Sequence, residues 1–526
     1  MTAQEKQSGR FMNGADALLH PALDQGLGDH LAILFDDGGI TYSQLAAAVC
    51  RCAHVLRDYG VGTQDRVLMI ADDTPEFFYA YLGAMKIGAV SVAVNLRVSA
   101  EDLKFMIEDS GCKVILAGPE FLPVVNQAGR DLEQMPPIML IERHESDLPN
   151  LPDLMVGKPD EIEPVLLPPE KAVLWLYTSG TTGHPKGVVH KLDMINSIHL
   201  YMEEVYGIGP EDRIFCTSKL FFAFSVGHIL LGALRLGTTA VIQAGWPSAD
   251  AVAAVVEKHR PTVFLSVPTM YRNLLRQEYA KSESFRSIRH FISAGEHLPD
   301  VLFHKWQAVS GKPILDAIGA SEVISLFIGN RPEDYYPGST GKPMPNTEIR
   351  MTTEDGEPID EAGVPGIVWV RSGTVAAEYW KQEEKTAAAF QDGWYCSGDF
   401  FVRDAEGRYF YQGRGDDMLK ISGQWVSPGE IERYVLENTK VLEAVVVGYK
   451  NEEGLTRLAL CLATADPDTD HESLQQEITE TLTENLSIYK CPRHFVFLDE
   501  LPKTPTGKTQ RYKLRQIAAE QISGQP

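Results

Sequence analysis

One stretch concentrates the groups that could handle phosphate: Tyr177-Thr-Ser-Gly-Thr-Thr-Gly-His-Pro-Lys-Gly187. Seven of its eleven residues are Gly, Ser or Thr, and one is Lys. Glycines let backbone approach a ligand and turn sharply. Hydroxyls and free N–H groups donate hydrogen bonds, and the lysine adds a point charge. Together they form a cradle for phosphate oxygens. The order differs from GxxxxGK[ST], because Lys186 follows His184-Pro185 and precedes Gly187. Composition alone would allow an ordinary surface loop.

Stepping outward, the loop follows a short apolar run, Ala172 to Tyr177, that predicts a buried strand. A helix carrying His190 and His199 is expected after it. Upstream, Leu31–Phe35 and Gly39–Thr41 flank Asp36-Asp-Gly-Gly39, a hairpin signal. Thr41-Tyr-Ser-Gln44 has the form of a capping box ahead of an Ala-rich helix to about Tyr59. Apolar runs at 66–71, 89–94, 113–117 and 138–141 alternate with helical segments. That βαβ pattern predicts a large α/β domain with parallel sheet. The Pro- and acid-rich segment 151–171 is expected to be a surface connection. Strands are expected at 213–217, 262–267, 287–293 and 366–371. After a Gly-flanked turn, a helix should start near Ser427-Pro428. The last hundred residues predict a small α+β domain, with strands at 442–447, 457–462 and 493–498 and a helix over 470–486.

The chain has 526 residues and a formal net charge of −24. Such a balance disfavours nucleic acid or an anionic membrane as the main partner. An anionic substrate must then be met by local Lys and Arg. The polar first ten residues are unlike a secretory signal. No apolar run approaches the ~18 residues of a membrane span; Arg235 interrupts the best one, 229–242. Seven scattered cysteines suit reduced thiols in a cytoplasmic protein, with Cys50 and Cys52 on a helix.

The phosphate loop resembles, almost letter for letter, that of the adenylate-forming superfamily: acyl-CoA synthetases, luciferases and peptide-synthetase adenylation domains. Further stretches resemble that family's motifs in order, from about residue 30 to Lys513. Ser293-Ala-Gly-Glu-His-Leu298 is similar to the loop beside the adenine, which implicates Gly295, Glu296 and His297; for His297 an ordinary loop role is equally open. Asp316-Ala-Ile-Gly-Ala-Ser-Glu322 resembles Tyr-Gly-x-Thr-Glu, with Ile318 for Tyr and Ser321 for Thr. Trp394-Tyr-Cys-Ser-Gly-Asp399 resembles Thr-Gly-Asp, with Ser397 for Thr. Tyr411-Gln-Gly-Arg-Gly-Asp416 resembles the junction of a large and a small domain. Pro505-Thr-Gly-Lys508 resembles the catalytic-lysine motif.

The resemblance implies a fold and a set of roles. A large N-terminal AMP- and acid-binding domain, 1–414, has parallel sheets with helices and a β-rich subdomain. A small mobile α+β C-terminal domain, 415–526, is joined to it by a hinge at Asp416. Lys508, Glu322 and Lys186 would be catalytic. Thr178, Ser179, Gly180, Thr181, Thr182, Gly183, Gly295, Glu296, His297, Asp316, Ala317, Ile318, Gly319, Ser321, Asp399, Tyr411 and Arg414 would bind ATP or AMP. Asp399 would accept both ribose hydroxyls on its two oxygens. Glu322, with Thr182, would hold Mg²⁺ that is shared with phosphates. Lys420, Ser422, Gly423 and Trp425 would line the CoA channel.

Lys219-Leu-Phe-Phe-Ala-Phe-Ser-Val-Gly227 is similar to a segment lining the acid pocket of benzoate- and aryl-CoA ligases. Phe222, Ala223, Phe224, Gly319, Ser325 and Leu326 are the pocket residues so implied. Aromatic faces suit a flat ring. Phe224 stands where those enzymes usually carry Tyr, and Ser325 where they usually carry His. A smaller, hydroxyl-bearing residue at 325 favours a substituted benzoate such as anthranilate or a hydroxybenzoate. The implied activity uses ATP, Mg²⁺ and coenzyme A: acyl-adenylate formation with release of pyrophosphate, then thioester formation with release of AMP. Alternatives are loading of an acyl carrier protein, a cyclic or medium-chain aliphatic acid as substrate, or an inactive adenylate-binding protein. A homodimer is also open.

Overall fold

The computed structural model describes residues 11–36, 38–178, 184–415, 419–421, 424–450, 456–503 and 509–523. Among these residues, two α/β sheets dominate. In the first, six parallel strands run in spatial order Ile314–Gly319, His290–Ser293, Val263–Ser266, Arg213–Cys216, Thr239–Val241 and Leu31–Phe35. Antiparallel strands extend both edges: Gly38–Thr41 on one side, Leu326–Gly329 and Lys342–Pro343 on the other. The second sheet runs Glu378–Tyr379, Lys186–Lys191, Ala172–Thr178, Val90–Ala93, Arg66–Ile70, Val114–Ala117 and Ile138–Leu140. Its last five strands are parallel, as the βαβ pattern predicts. Its first two are antiparallel additions. A third sheet, built on Thr347–Thr352, Pro365–Ser372, Trp394–Arg403 and Tyr409–Arg414, is antiparallel. It forms the predicted β-rich subdomain.

Local chemistry explains where elements begin. Thr41 caps the helix Tyr42–Asp58 with the full capping box: its hydroxyl accepts from Gln44 N, and the Gln44 amide oxygen accepts from Thr41 N. Cys50 and Cys52 lie on this helix, buried. Ser427 caps Pro428–Leu436, with proline in the first turn. Asp470 caps His471–Asn485.

Two expectations fail. Residues 151–171 are not all connection, because Asn150 caps a short helix, Leu151–Met155. His190 is on a strand rather than a helix. Lys186–Lys191 returns antiparallel to Ala172–Thr178, and the next α-helix starts only at Leu200, with His199 as its N-cap. The phosphate loop therefore joins two strands of a hairpin and does not lead into a helix.

The three large sheets use strands up to Arg414. Beyond them, Leu419–Ile421 pairs with Gln424–Val426, and Val441–Lys450, Thr456–Thr464 and His494–Phe497 form a small sheet with its own apolar clusters. All seven cysteines are free thiols. Burial pushes the thiols of Cys112, Cys216 and Cys461 up to about 11, 12 and 12. No helix among the described residues is long and apolar enough to cross a membrane.

Candidate active site

The hairpin Ala172–Thr178/Lys186–Lys191 holds its loop by a ladder that ends at the pair Thr178↔Lys186. Ser179, Gly180, Thr181, Thr182 and Gly183 lie outside the described residues. At the loop's start, the Thr178 hydroxyl is buried and has no hydrogen-bond partner among the described residues. At its end, the Lys186 ammonium lies 3.2 Å from Glu322 Oε1 and 3.7 Å from the centre of the Tyr379 ring. The Tyr379 hydroxyl donates to the same Glu322 oxygen at 2.7 Å. Burial alone would raise the Glu322 carboxyl; the Lys186 charge and the Tyr379 hydrogen bond outweigh it and hold the group below its ordinary range. Two residues 136 positions apart thus meet as an ion pair, presented by the end of a strand and by a loop.

That loop, 320–325, is pinned along its length. The Ser321 carbonyl accepts from His190 Nε2 at 2.8 Å, and the Glu322 carbonyl accepts from Ala376 N at 2.8 Å. His190 is fully buried, and burial pushes its ring down to about 4, so it stays neutral. Tyr379 sits on the edge strand Glu378–Tyr379, which pairs with Val188 and Val189 of the hairpin. Neither His190 nor Tyr379 was assigned to the site from sequence. Their partners come from distant strand pairing, which leaves no local signal.

A single ionised carboxylate suits a hard cation that also takes phosphate oxygens. The Lys186 and Tyr379 contacts are both made to Glu322 Oε1. Among the described residues no group of three His, Cys, Asp or Glu side chains could hold a metal by itself. The donor set therefore fits Mg²⁺ only as a complex with a polyphosphate.

The predicted adenosine-binding residues line the C-terminal ends of neighbouring strands and the third sheet. Asp316, Ala317, Ile318 and Gly319 end one strand, with Gly319 opposite Leu326. Asp316 is buried, which keeps its carboxyl well above the ordinary range, and its Oδ1 has no partner among the described residues. That unpartnered carboxyl oxygen suits the edge of a base. Gly295 adopts φ +86°, a region open to glycine. Glu296 is occupied locally, accepting from Thr269 N and Oγ1 at 3.2 and 2.9 Å. The exposed His297 ring lies near-parallel to that of Tyr411, with centres 6.3 Å apart. Asp399 is buried opposite Arg414 across two paired strands, with Arg414 Nε 3.6 Å from Oδ1. The Asp399 charge holds the guanidinium above its ordinary range. Ser397 takes the place of the usual Thr without loss of contact: it donates to the Val368 carbonyl and accepts from Asp399 N.

Phe222, Ala223 and Phe224 are half-buried at the start of a helical segment whose turn Val226–Gly232 is π-wound. His228 from that turn bonds the Phe224 carbonyl through Nδ1 and the Tyr201 hydroxyl through Nε2. Ser325 and Leu326 are buried. The Ser325 hydroxyl is 2.9 Å from Thr374 Oγ1, which is 3.0 Å from Ser372 Oγ. Thr374 is a further residue that sequence reasoning missed. Gly319 must lack a side chain, since a Cβ there would lie 2.7 Å from the Ser325 carbonyl.

Lys219, at the head of the aromatic segment, is buried and committed to a charge cluster. Its ammonium pairs with Asp72 and Asp73 and donates to the Gln243 and Gly245 carbonyls at 2.7 and 3.1 Å. Asp73 in turn accepts from Leu220 N at 3.0 Å. The turn entering Phe221 and Phe222 therefore hangs on a buried charge cluster that ties the two α/β sheets together. Among the remaining candidates, Lys508, Asp416, Ser422 and Gly423 lie outside the described residues. Lys420 and Trp425 face each other as backbone partners in a short strand pair.

Residues 22–380 match the model of the AMP-binding enzyme family, and residues 430–508 match that of the AMP-binding enzyme C-terminal domain. The chain is 44% identical to a 3-hydroxybenzoate–CoA ligase of Aromatoleum sp. (strain CIB), covering 96% of this chain and 97% of that one. It is 44% identical to a 3-hydroxybenzoate–CoA/4-hydroxybenzoate–CoA ligase of Thauera aromatica, covering 98% and 99%. A crystal structure of an anthranilate CoA ligase in complex with anthranoyl-AMP superposes with a TM-score of 0.92 at 31% identity, over 99% and 100% of the two chains. The chain belongs to the AMP-binding enzyme family, within the adenylate-forming superfamily, and is an acid–thiol ligase of the aryl-CoA ligase type.

Proposed function

We propose that the chain activates a hydroxybenzoate with ATP and transfers the acyl group to CoA. The observation that carries the choice of acid is the buried hydroxyl pair of Thr374 and Ser325, the latter on the loop whose Ile324 carbonyl lies against Gly227, three residues after Phe224. The Ser325, Thr374 and Ser372 hydroxyls bond to one another and keep acceptor lone pairs, so a ring hydroxyl can join the chain as a donor where an unsubstituted ring cannot. The 44% identity to two hydroxybenzoate ligases supports the same choice. Anthranilate is the second candidate, since its amino group could also use a hydroxyl, and an anthranilate ligase superposes over almost the whole chain.

In the first half-reaction a carboxylate oxygen bonds to the α-phosphorus of ATP and the bond to the β-phosphate oxygen breaks, releasing pyrophosphate. Both reactants are anionic, so preorganised positive charge must offset their repulsion. Lys186 turns from Glu322 toward the outer phosphates, and Lys508 bridges the acid and the α-phosphate. Glu322 and Thr182 would hold Mg²⁺, which would supply positive charge against the phosphates. Asp399 orients the ribose. In the second half-reaction the CoA sulfur bonds to the acyl carbon, the thiol proton is lost, and the bond to AMP breaks. Rotation of residues beyond 415 about Asp416 withdraws Lys508 and opens the channel lined by Lys420, Ser422, Gly423 and Trp425.

The test is pyrophosphate release over 3- and 4-hydroxybenzoate, anthranilate, benzoate and cyclohexanecarboxylate, with and without CoA, with the thioester quantified. A hydroxybenzoate should give the highest kcat/KM and a CoA ester. Preference for cyclohexanecarboxylate, or adenylation without thioester, would refute the proposal.

A further inference from the structure

The π-wound turn Val226–Gly232 lies directly after Phe222–Phe224. Such winding is rare and concentrates at functional sites. Its second residue, Gly227, faces the loop 320–325: a Cβ at 227 would fall inside the van der Waals boundary of the Ile324 carbonyl oxygen. That oxygen belongs to backbone, so it cannot swing aside as a flexible side chain would.

Ile324 is itself unusual. It is buried and adopts φ +55°, a left-handed conformation that a β-branched residue rarely takes. Strain of this kind persists only where the surroundings over-determine it. Here Ile324 N donates to the Ala320 carbonyl at 2.8 Å, the Glu322 carbonyl is held by Ala376 N, and the next side chain, Ser325, is held by Thr374. The reversal at Ile324 lets one short loop send Glu322 toward Lys186 and Ser325 toward Thr374. How far the reversal goes is limited by where the Ile324 carbonyl comes to rest, against Gly227.

We propose that Gly227 is a specificity-determining position: its missing side chain seats the Ile324 carbonyl, and that seat sets the depth of Ser325 in the acid pocket. Gly227 touches no substrate and acts as a positioning residue. The inference rests on the proposal that Ser325 faces the ring substituent. It predicts a larger change in acid selection than in ATP binding, since Asp399, Arg414 and Gly295 lie on other elements while only Ser321 and Glu322 share the loop with Ile324.

The test compares Gly227→Ala, Ile324→Gly, the double variant and Ser325→Ala, using KM and kcat for 3-hydroxybenzoate and benzoate and KM for ATP. Gly227→Ala should raise the hydroxybenzoate KM at least tenfold and reduce its kcat/KM advantage over benzoate, with ATP KM within twofold of wild type. Ile324→Gly in that background should recover at least threefold, because glycine can move the carbonyl without strain. If Ser325→Ala changes the ratio of the two acids but Gly227→Ala leaves it within twofold, the inference is overturned and the pocket assignment stands. If Ser325→Ala changes nothing, the pocket assignment fails and the inference falls with it. Should Gly227→Ala not fold, Ile324→Gly alone decides. A threefold or greater fall in the ratio supports the proposal, and an unchanged ratio overturns it.

Discussion

Lys219→Met isolates the buried charge cluster beneath the acid pocket. The lysine side chain is 4% exposed, and those of its partners Asp72 and Asp73 are 15% and 8% exposed. Removing one partner of a buried ion pair typically costs about 3–5 kcal/mol, because a charge is left uncompensated. Here two carboxylates are stranded, while Met conserves most of the volume. At roughly 2–4 °C per kcal/mol for a domain of 150–250 residues, the melting temperature should fall by about 6–20 °C. The cost should depend on pH. Burial raises the Asp73 carboxyl from 3.8 to about 6 even with the ammonium beside it. A carboxyl raised on folding favours the folded state fully below its unfolded pKa, and that contribution is lost as pH rises through the folded value. For Asp73 the change is worth about 3 kcal/mol between pH 4 and pH 6, at 1.36 kcal/mol per pKa unit. Without Lys219 the Asp73 carboxyl must ionise unaided, so the deficit should be largest above pH 6 and shrink at pH 5. Thermal denaturation of both proteins at pH 5 and pH 8 checks this. The acid KM should rise as well, because the turn into Phe222 hangs on Asp73 through Leu220 N. Adding Asp72→Asn and Asp73→Asn should restore part of the stability, since neutral groups no longer need a counter-charge. A Lys219→Met protein melting within 2 °C of wild type at pH 8, or with the same deficit at both pH values, would refute the reasoning.

Lys508→Ala should remove most pyrophosphate release while ATP binding stays measurable by calorimetry; undiminished release sinks its catalytic assignment. Asp416→Pro should leave adenylation intact and stop thioester formation, and equal loss of both would argue against a hinge. Asp399→Asn should raise the ATP KM roughly ten- to hundredfold, the size expected when a charge-assisted pair of about 1.5–3 kcal/mol is weakened; an unchanged KM would take Asp399 out of the ribose site.

Features written in neighbouring residues were legible. The capping boundary at Thr41, the Ser427-Pro428 helix start and the apolar runs of the two sheets all emerge where local chemistry places them. What escaped is what depends on distant partners. His190 follows two valines in a run short enough for either state, and only pairing with Leu174 makes it strand. Tyr379 becomes a site residue because it pairs with Val188, about 190 positions earlier. Lys219 heads the motif whose aromatics are the proposed pocket wall, while its own charge is used by a loop almost 150 residues upstream. By sequence Glu322 and Lys186 serve separate phosphate tasks, and their ion pair arises only where the two loops come together. The π-wound turn shifts the helical phase by a fraction of a residue per turn, which no apolar pattern of this length reveals.

Five of the seven free thiols are buried, which makes them reporters of motion. Cys461 is fully covered by the small sheet, whereas Cys491 is partly open at its surface. A rigid swing of residues beyond 415 would leave Cys461 wrapped in its own strands. Only melting of that unit would bare it. The thiolate is the reactive form, and burial holds Cys461 protonated up to about 12, so its modification at neutral pH waits on exposure. Alkylation followed by peptide mass analysis during turnover would therefore tell rotation from unfolding. Domain alternation should leave Cys461 unlabelled over many catalytic cycles, and fraying of the small domain should mark it first.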